Sequence, residues 1–200
     1  MLAHAIRHLL PTEPAVIHLA CAKGAAWVLG YRASLQTDKW ELVASVPAGM
    51  QLPPGVRRAT AETLIALVAE AQESIRIAAP YIDPSGLELL SGAIAAATAR
   101  GVVVEVFMPR DWQPGTDAVR LLRRLVDQTG NPELLHISEL LVDVPIAHMK
   151  VVVADGRAAY VGSANITGAG LRSRNAELGV LLHGPRVAAV NSVLDAYRSR

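Results

Sequence analysis

The chain has 200 residues, is 52% apolar and carries a formal net charge of +1. That is enough apolar matter for one folded core with an extension, and the near-neutral balance excludes a global basic field that would announce nucleic acid by charge alone. Cys21 is the only cysteine, which excludes an intrachain disulfide and a cysteine-built zinc cluster and fits a reducing, cytoplasmic setting.

Residues 1–36 read as largely helical, with a break at Pro11 and Pro14 and a second helix from about Ala15 to Leu35. His4 and His8 stand one helical turn apart, a spacing that suits a metal, but no third ligand accompanies them and no metal is expected. Pro11, Glu13 and Pro14 interrupt the first apolar run and argue against a signal peptide. Later apolar stretches are broken by Arg100 and Glu105, so neither a transmembrane segment nor stable membrane association is expected. Trp40 to Val46 reads as a short strand, and Pro47-Ala48-Gly49 and Leu52-Pro53-Pro54-Gly55 as loops. The expected division is a mainly helical extension over 1–54 and a core domain over 55–200.

From Thr60, a candidate N-cap, the pattern is regular. Leu64, Leu67, Val68 and Ala71 follow at helical spacing. Ser74 to Ile82 predicts a strand, Pro84 to Arg100 a helix stopped by Gly101, and Val102 to Met108 a β-branched strand. Asp117 to Gln128 predicts a helix, Leu134 to Ile137 a short strand, and Gly184-Pro185 opens a last helix to Arg200 with Val187, Val190, Val193, Leu194 and Tyr197 on its apolar side. This alternation predicts an α/β fold, a mixed β-sheet flanked by helices.

The stretch His148 to Leu182 carries the chemistry. Lys150-Val151-Val152-Val153 leads into Asp155-Gly156, a hairpin signal between apolar runs. If those two residues form the loop, Ala154 pairs with Arg157, Val151 with Tyr160 and His148 with Ser163. His148, Lys150 and Ser163 then share one face, with Met149, Val151 and Val153 on the other. Asn165 follows in a Gly-Ser-x-Asn turn able to aim N–H groups at an anion. An imidazole is a nucleophile and proton shuttle near neutral pH. A lysine with Ser and Asn donors suits a phosphorus centre whose non-bridging oxygens gain charge. Glu177, on the next apolar strand, is the candidate to accept from the other ring nitrogen of His148.

The pattern His148-x-Lys150-x4-Asp155-x6-Gly162-Ser163-x-Asn165 resembles the HKD signature of the phospholipase D superfamily, with Glu177 where that family carries its acidic partner. The resemblance implies a metal-independent, cofactor-free phosphodiesterase. His148 would attack phosphorus to form a phosphohistidine, and a second histidine would protonate the leaving oxygen. Lys150 and Asn165 would hold phosphate oxygens with help from Ser163, and Glu177 would orient His148. Asp155 belongs to the signature but sits at the predicted turn, where a structural role is expected. Only one signature is present, since none of His4, His8, His18, His136 and His183 has Lys two residues on. The second half-site is therefore expected from another copy, in a two-fold homodimer.

Within residues 60–200, the Val-Val-Ala-Asp-Gly-Arg and Val-Gly-Ser-Ala-Asn-Ile-Thr-Gly wording and the Arg-Asn-x-Glu-Leu-Gly-Val run resemble the phospholipase D-like component of DISARM anti-phage systems. That implies restriction of foreign DNA beside other defence-system proteins. Arg110 and Trp112 offer a charge and a stacking plane to a nucleotide, and Arg172 and Arg174 could guide a polyanion to the site. In each case a solvated or core-covering loop is the competing reading. The expected activity is cleavage of nucleic acid, DNA first. A phospholipase or phosphatidyltransferase and a non-catalytic DNA-binding subunit are the alternatives.

Overall fold

The structure is a computed structural model that describes residues 39–56, 59–108, 116–139 and 148–198; the helices expected over 1–36 lie outside that set. Seven strands form one mixed sheet: β1 (Lys39–Ser45), β2 (Ser74–Ala78), β3 (Val103–Met108), β4 (Leu135–Glu139), β5 (Val151–Ala154), β6 (Ala158–Gly162) and β7 (Glu177–His183). Their order across the sheet is β1-β7-β6-β5-β2-β3-β4. Described with it are the helices α1 (Thr60–Glu70), α2 (Pro84–Ala99), α3 (Asp117–Asp127), the short α4 (Gly168–Leu171) and α5 (Val187–Ala196). β2, β3 and β4 run parallel, joined through α2 and α3, and the other neighbours are antiparallel. This is the mixed sheet with flanking helices that the sequence pattern predicts.

Strand alternation divides the apolar side chains between two layers. Ile75, Ile77, Val104, Val106, Val152, Tyr160 and Leu181 face α1, α2 and α3 and pack on Leu64, Val68, Leu87, Leu90, Ile94 and Leu122. Ala78, Phe107, Val151, Val153 and Ala159 face the opposite way and meet Val187 and Leu194 of α5. A guanidinium anchors that last helix. Arg76 lies 5.0 Å over the Phe107 ring and bonds Glu105 at 3.0 Å, Asn191 at 3.1 Å and Asp195 at 2.6 Å.

Three expectations change. β2 ends at Ala78 rather than Ile82, because Pro80 has no N–H to continue the ladder. Thr60 is not the N-cap of α1; Ala59 holds that position without a side-chain cap, and Thr60 is fully buried. α5 closes at Ala196, and Val193 and Tyr197 are exposed rather than packed.

β1, read with the extension in the sequence, pairs along its length with β7, from Lys39 opposite His183 to Ser45 opposite Glu177. On the face that α5 partly covers, Val161, Val180 and Leu42 form a row across β6, β7 and β1. Val161 and Leu42 are exposed, and beside the row Leu178 is 60% and Trp40 66% exposed.

Candidate active site

The β5–β6 hairpin sets the site. Asp155 and Gly156 both adopt left-handed φ, 54° and 64°, and the Arg157 N–H donates to the Ala154 carbonyl at 3.0 Å. Two such residues are what a type I′ turn needs. The ladder nevertheless resumes one residue late, with Ala154 opposite Ala158 and Val151 opposite Val161. The Arg157 carbonyl accepts instead from the Gly184 N–H at 3.0 Å, beyond the end of β7. The neighbouring strand thus takes the group that would have closed a two-residue hairpin. The slip puts Val152, not Val151, across from Tyr160 and brings the Gly162 N–H to the Lys150 carbonyl at 3.2 Å. Ser163 is therefore not the cross-strand partner of His148.

Ser163 leaves the hairpin and turns toward β7. Its hydroxyl donates to Glu177 in a short hydrogen bond and accepts from the Leu178 N–H at 3.1 Å, while its own N–H donates to the Leu178 carbonyl at 2.9 Å. Asn175 donates to the other oxygen of Glu177 at 3.2 Å. The hydrogen bonds of Glu177 thus go to Ser163 and Asn175 rather than to His148 of the same chain.

His148 is exposed and Lys150 buried. The Lys150 Nζ lies 3.1 Å from each ring nitrogen of His148 and 3.3 Å from its carbonyl. Burial pushes the Lys150 ammonium below its usual pKa, and the Glu177 charge offsets part of that effect.

Asn165 is placed by a second joint. Ile166 bridges to Ile82, and the Asp83 N–H donates to the Ile166 carbonyl at 3.0 Å. The Asp83 carboxylate caps α2 through the Gly86 N–H at 2.7 Å and also accepts from the Gly168 N–H at 3.0 Å. One aspartate ties the start of α2 to the turn carrying Asn165, whose Oδ1 is buried without a hydrogen-bond partner among the described residues.

The remaining candidates lie apart. Asp155, grouped with the catalytic residues by the signature, sits at the far end of β5 from His148. It accepts from the N–H groups of Gln72, Glu73 and Ser74 at 2.8–3.2 Å. Burial opposes its ionisation, but those amides, with Arg157, outweigh it and hold the carboxyl below the ordinary carboxylate range. Arg172 leans on α2, 3.4 Å from the Ser85 carbonyl and 3.5 Å from Glu88, and Arg174 is exposed. Arg110 and Trp112 fall outside the described residues.

Residues 64–196 match the family model described as "Cardiolipin synthase, PLD-like domain". The chain belongs to the phospholipase D-like family. A curated relative, the "Probable cardiolipin synthase YwiE" of Bacillus subtilis (strain 168), is 31% identical over 115 residues. That alignment takes in 56% of this chain and 21% of YwiE, so the chain spans about a fifth of its relative. Among solved structures, the phospholipase D family member Nuc from Salmonella typhimurium is similar at TM-score 0.55 and 23% identity, over 80% of this chain and 91% of that one. NucT from Helicobacter pylori gives TM-score 0.58 and 20% identity over 80% and 95%. Phosphatidylserine synthase from Haemophilus influenzae Rd KW20 gives 0.55 and 18% over 79% and 37%. These structural likenesses establish the fold.

In this phospholipase D-like chain the described histidines outside the signature stand away from His148. His136 is on the edge strand β4, and His183 ends β7 opposite Ala158, toward the turn. Asp83 and Asn175 support the site and were not singled out in the sequence. Their signals are weak: an Asp-Pro helix start, and an Asn two residues before Glu177.

Proposed function

We propose that the chain is a phosphodiesterase that cleaves nucleic acid, DNA first, through a phosphohistidine on His148, in a site completed by a second copy. The observation that carries this reading is the Lys150 ammonium 3.1 Å from the imidazole of exposed His148. That ammonium rests on the ring. A phosphate oxygen is the better acceptor, because both partners are charged. An arriving diester would draw Nζ away and free a ring nitrogen to attack. The N–P bond forms as the P–O bond to the leaving group breaks. His148 of the second copy protonates the departing oxygen and then takes a proton from the water that splits the N–P bond. Lys150 and the side-chain amide N–H of Asn165 steady the pentacoordinate phosphorus. The hydroxyl of Ser163 is set by Glu177 and the Leu178 amide.

The second copy is called for by the single signature and supported by the exposed row Val161–Val180–Leu42, with Leu178 adjoining Glu177. A soluble surface with such a patch is a candidate interface. Nucleic acid is supported by Tyr81, which lies three residues past the Ala78–Val151 pair, at the end of the sheet from which the signature enters β5, and is 51% exposed. An aromatic plane beside a phosphate site suits base stacking. The resemblance to a DISARM component makes foreign DNA the expected substrate.

A second reading, transfer or hydrolysis of phospholipid head groups, is favoured by the similarity to YwiE and the name of the matching family model. One experiment separates the two. End-labelled single-stranded and duplex oligonucleotides, and phosphatidylglycerol vesicles, are incubated with the protein in excess EDTA. Cleavage of oligonucleotide by wild type but not by His148→Ala supports the nuclease; head-group release with intact oligonucleotide supports the lipid enzyme.

A further inference from the structure

Tyr160 stands on β6 on the helix-covered side of the sheet and is 1% exposed. Its ring lies along the sheet rather than standing up from it. A Cβ at Gly162 would meet the phenol oxygen at 2.3 Å, and one at Gly179, the cross-strand partner of Gly162, would meet the ring Cε2 at 2.4 Å. Two glycines on adjoining strands therefore form a trough, the ring fills it, and the hydroxyl reaches the Gly162-Ser163-Ala164-Asn165 turn.

Packing accounts for the ring but not for the hydroxyl. Phenylalanine would fill the same trough, and a buried hydroxyl left unpaired is unfavourable. Among the described residues neither the Tyr160 Oη nor the buried Oγ1 of Thr60 makes a hydrogen bond of ordinary geometry, although the two hydroxyls face each other. The Thr60 hydroxyl and the Ala164 backbone are the groups that face it; burial foremost, with a contribution from Glu177, raises the phenol's pKa, so it stays a donor. One residue past Ala164, the buried Oδ1 of Asn165 has no hydrogen-bond partner among the described residues. A donor is thus held beneath the turn that carries two of the phosphate ligands.

We infer that Tyr160 is a positioning residue, whose hydroxyl supports the Gly162–Asn165 turn from beneath and thereby aims Ser163 and Asn165 at the phosphate. The inference rests on the phosphodiesterase reading but not on the choice of nucleic acid. Tyr160→Phe tests it in the full chain, with bis(4-nitrophenyl) phosphate as a substrate that has neither base nor lipid. The variant should melt close to the wild-type temperature, because the ring that fills the trough is kept. Its kcat should fall about 10-fold at a KM within about two-fold, the signature of misaimed rather than missing groups. Thr60→Val should move kcat the same way by less. Orthovanadate binding, read by vanadium NMR, samples the site without turnover and should weaken about 10-fold in Tyr160→Phe. Wild-type kcat and vanadate affinity in Tyr160→Phe would overturn the inference, as would a loss that merely follows the folded fraction. A wild type that binds vanadate but does not hydrolyse the diester would count against the functional reading, while the vanadate comparison would still decide the role of Tyr160.

Discussion

The two ends of the β5–β6 hairpin treat their polar groups in opposite ways. At the turn, the Asp155 carboxylate is met by three backbone amides, and Arg157 gives its N–H to Ala154 and its carbonyl to Gly184. At the other end His148 is exposed, Lys150 Nζ leans on that same histidine, and the buried Asn165 Oδ1 has no hydrogen-bond partner among the described residues. Buried polar groups are nearly always satisfied in folded proteins. The open end is where the proposed function places the phosphate. One short signature holds two kinds of residue, some that build the fold and some that the proposed function assigns to phosphate.

The contrast can be broken most forcefully at His148. His148→Ala should lower kcat by at least about 10³-fold. Its melting temperature should stay within about 2 °C of wild type, because the side chain is exposed. A large loss of stability would erase the distinction between the ends. Val161→Glu places a charge in the apolar row beside the open end; the proposed dimer should be lost in sedimentation and activity should drop about 100-fold, as a desolvated charge opposes association. Unchanged mass and activity would remove the second copy from the mechanism.

Asp155→Asn should do the reverse of His148→Ala. We expect about 2–3 kcal/mol of lost stability, near 5–10 °C in melting temperature, with kcat per folded molecule close to wild type. The sign with pH follows from the lowered pKa. The carboxylate's stabilisation is complete above its ordinary value of 3.8 and disappears as pH falls through the lower folded value, so the two proteins should converge in acid.

Lys150 sharpens the open end. Its pKa is lowered from 10.5, so kcat/KM should decline on the alkaline side before pH 10.5. Over that window stability should rise with pH, because the unfolded chain binds more protons than the folded one. Lys150→Arg should carry the alkaline limb upward in whatever activity it keeps; an unmoved limb would assign it to another group. The smallest effect is expected from Arg172→Ala, about two- to three-fold in KM, since that guanidinium faces Glu88 across a loose, exposed pair.

The sequence shows the open end clearly because fixed spacings carry it: His148, Lys150, Ser163, Asn165 and Glu177 are each legible from the signature. Their partnerships are less so. Asp-Gly predicts where the hairpin turns, yet the register depends on Gly184, a residue distant in sequence that captures the Arg157 carbonyl. That one displacement moves Ser163 from His148 to Glu177. The alternating faces of β5 were legible because each strand residue contributes locally. The membership of β1 was not, because its ladder among the described residues is with β7, more than a hundred residues away. Thr60 resembles a cap in sequence, and only the packing of α1 over the sheet shows it buried beside Tyr160.

The pairing of β1 with β7 has a practical consequence. A fragment trimmed at the proline-rich loop near Pro54 would keep every signature residue but strip β7 of its outer neighbour. The sequence Glu-Leu-Gly-Val-Leu-Leu-His would then be a bare edge, apolar for most of its length and free to template pairing between molecules. Such a fragment should precipitate on expression, and its silence in an activity assay would say nothing about the imidazole.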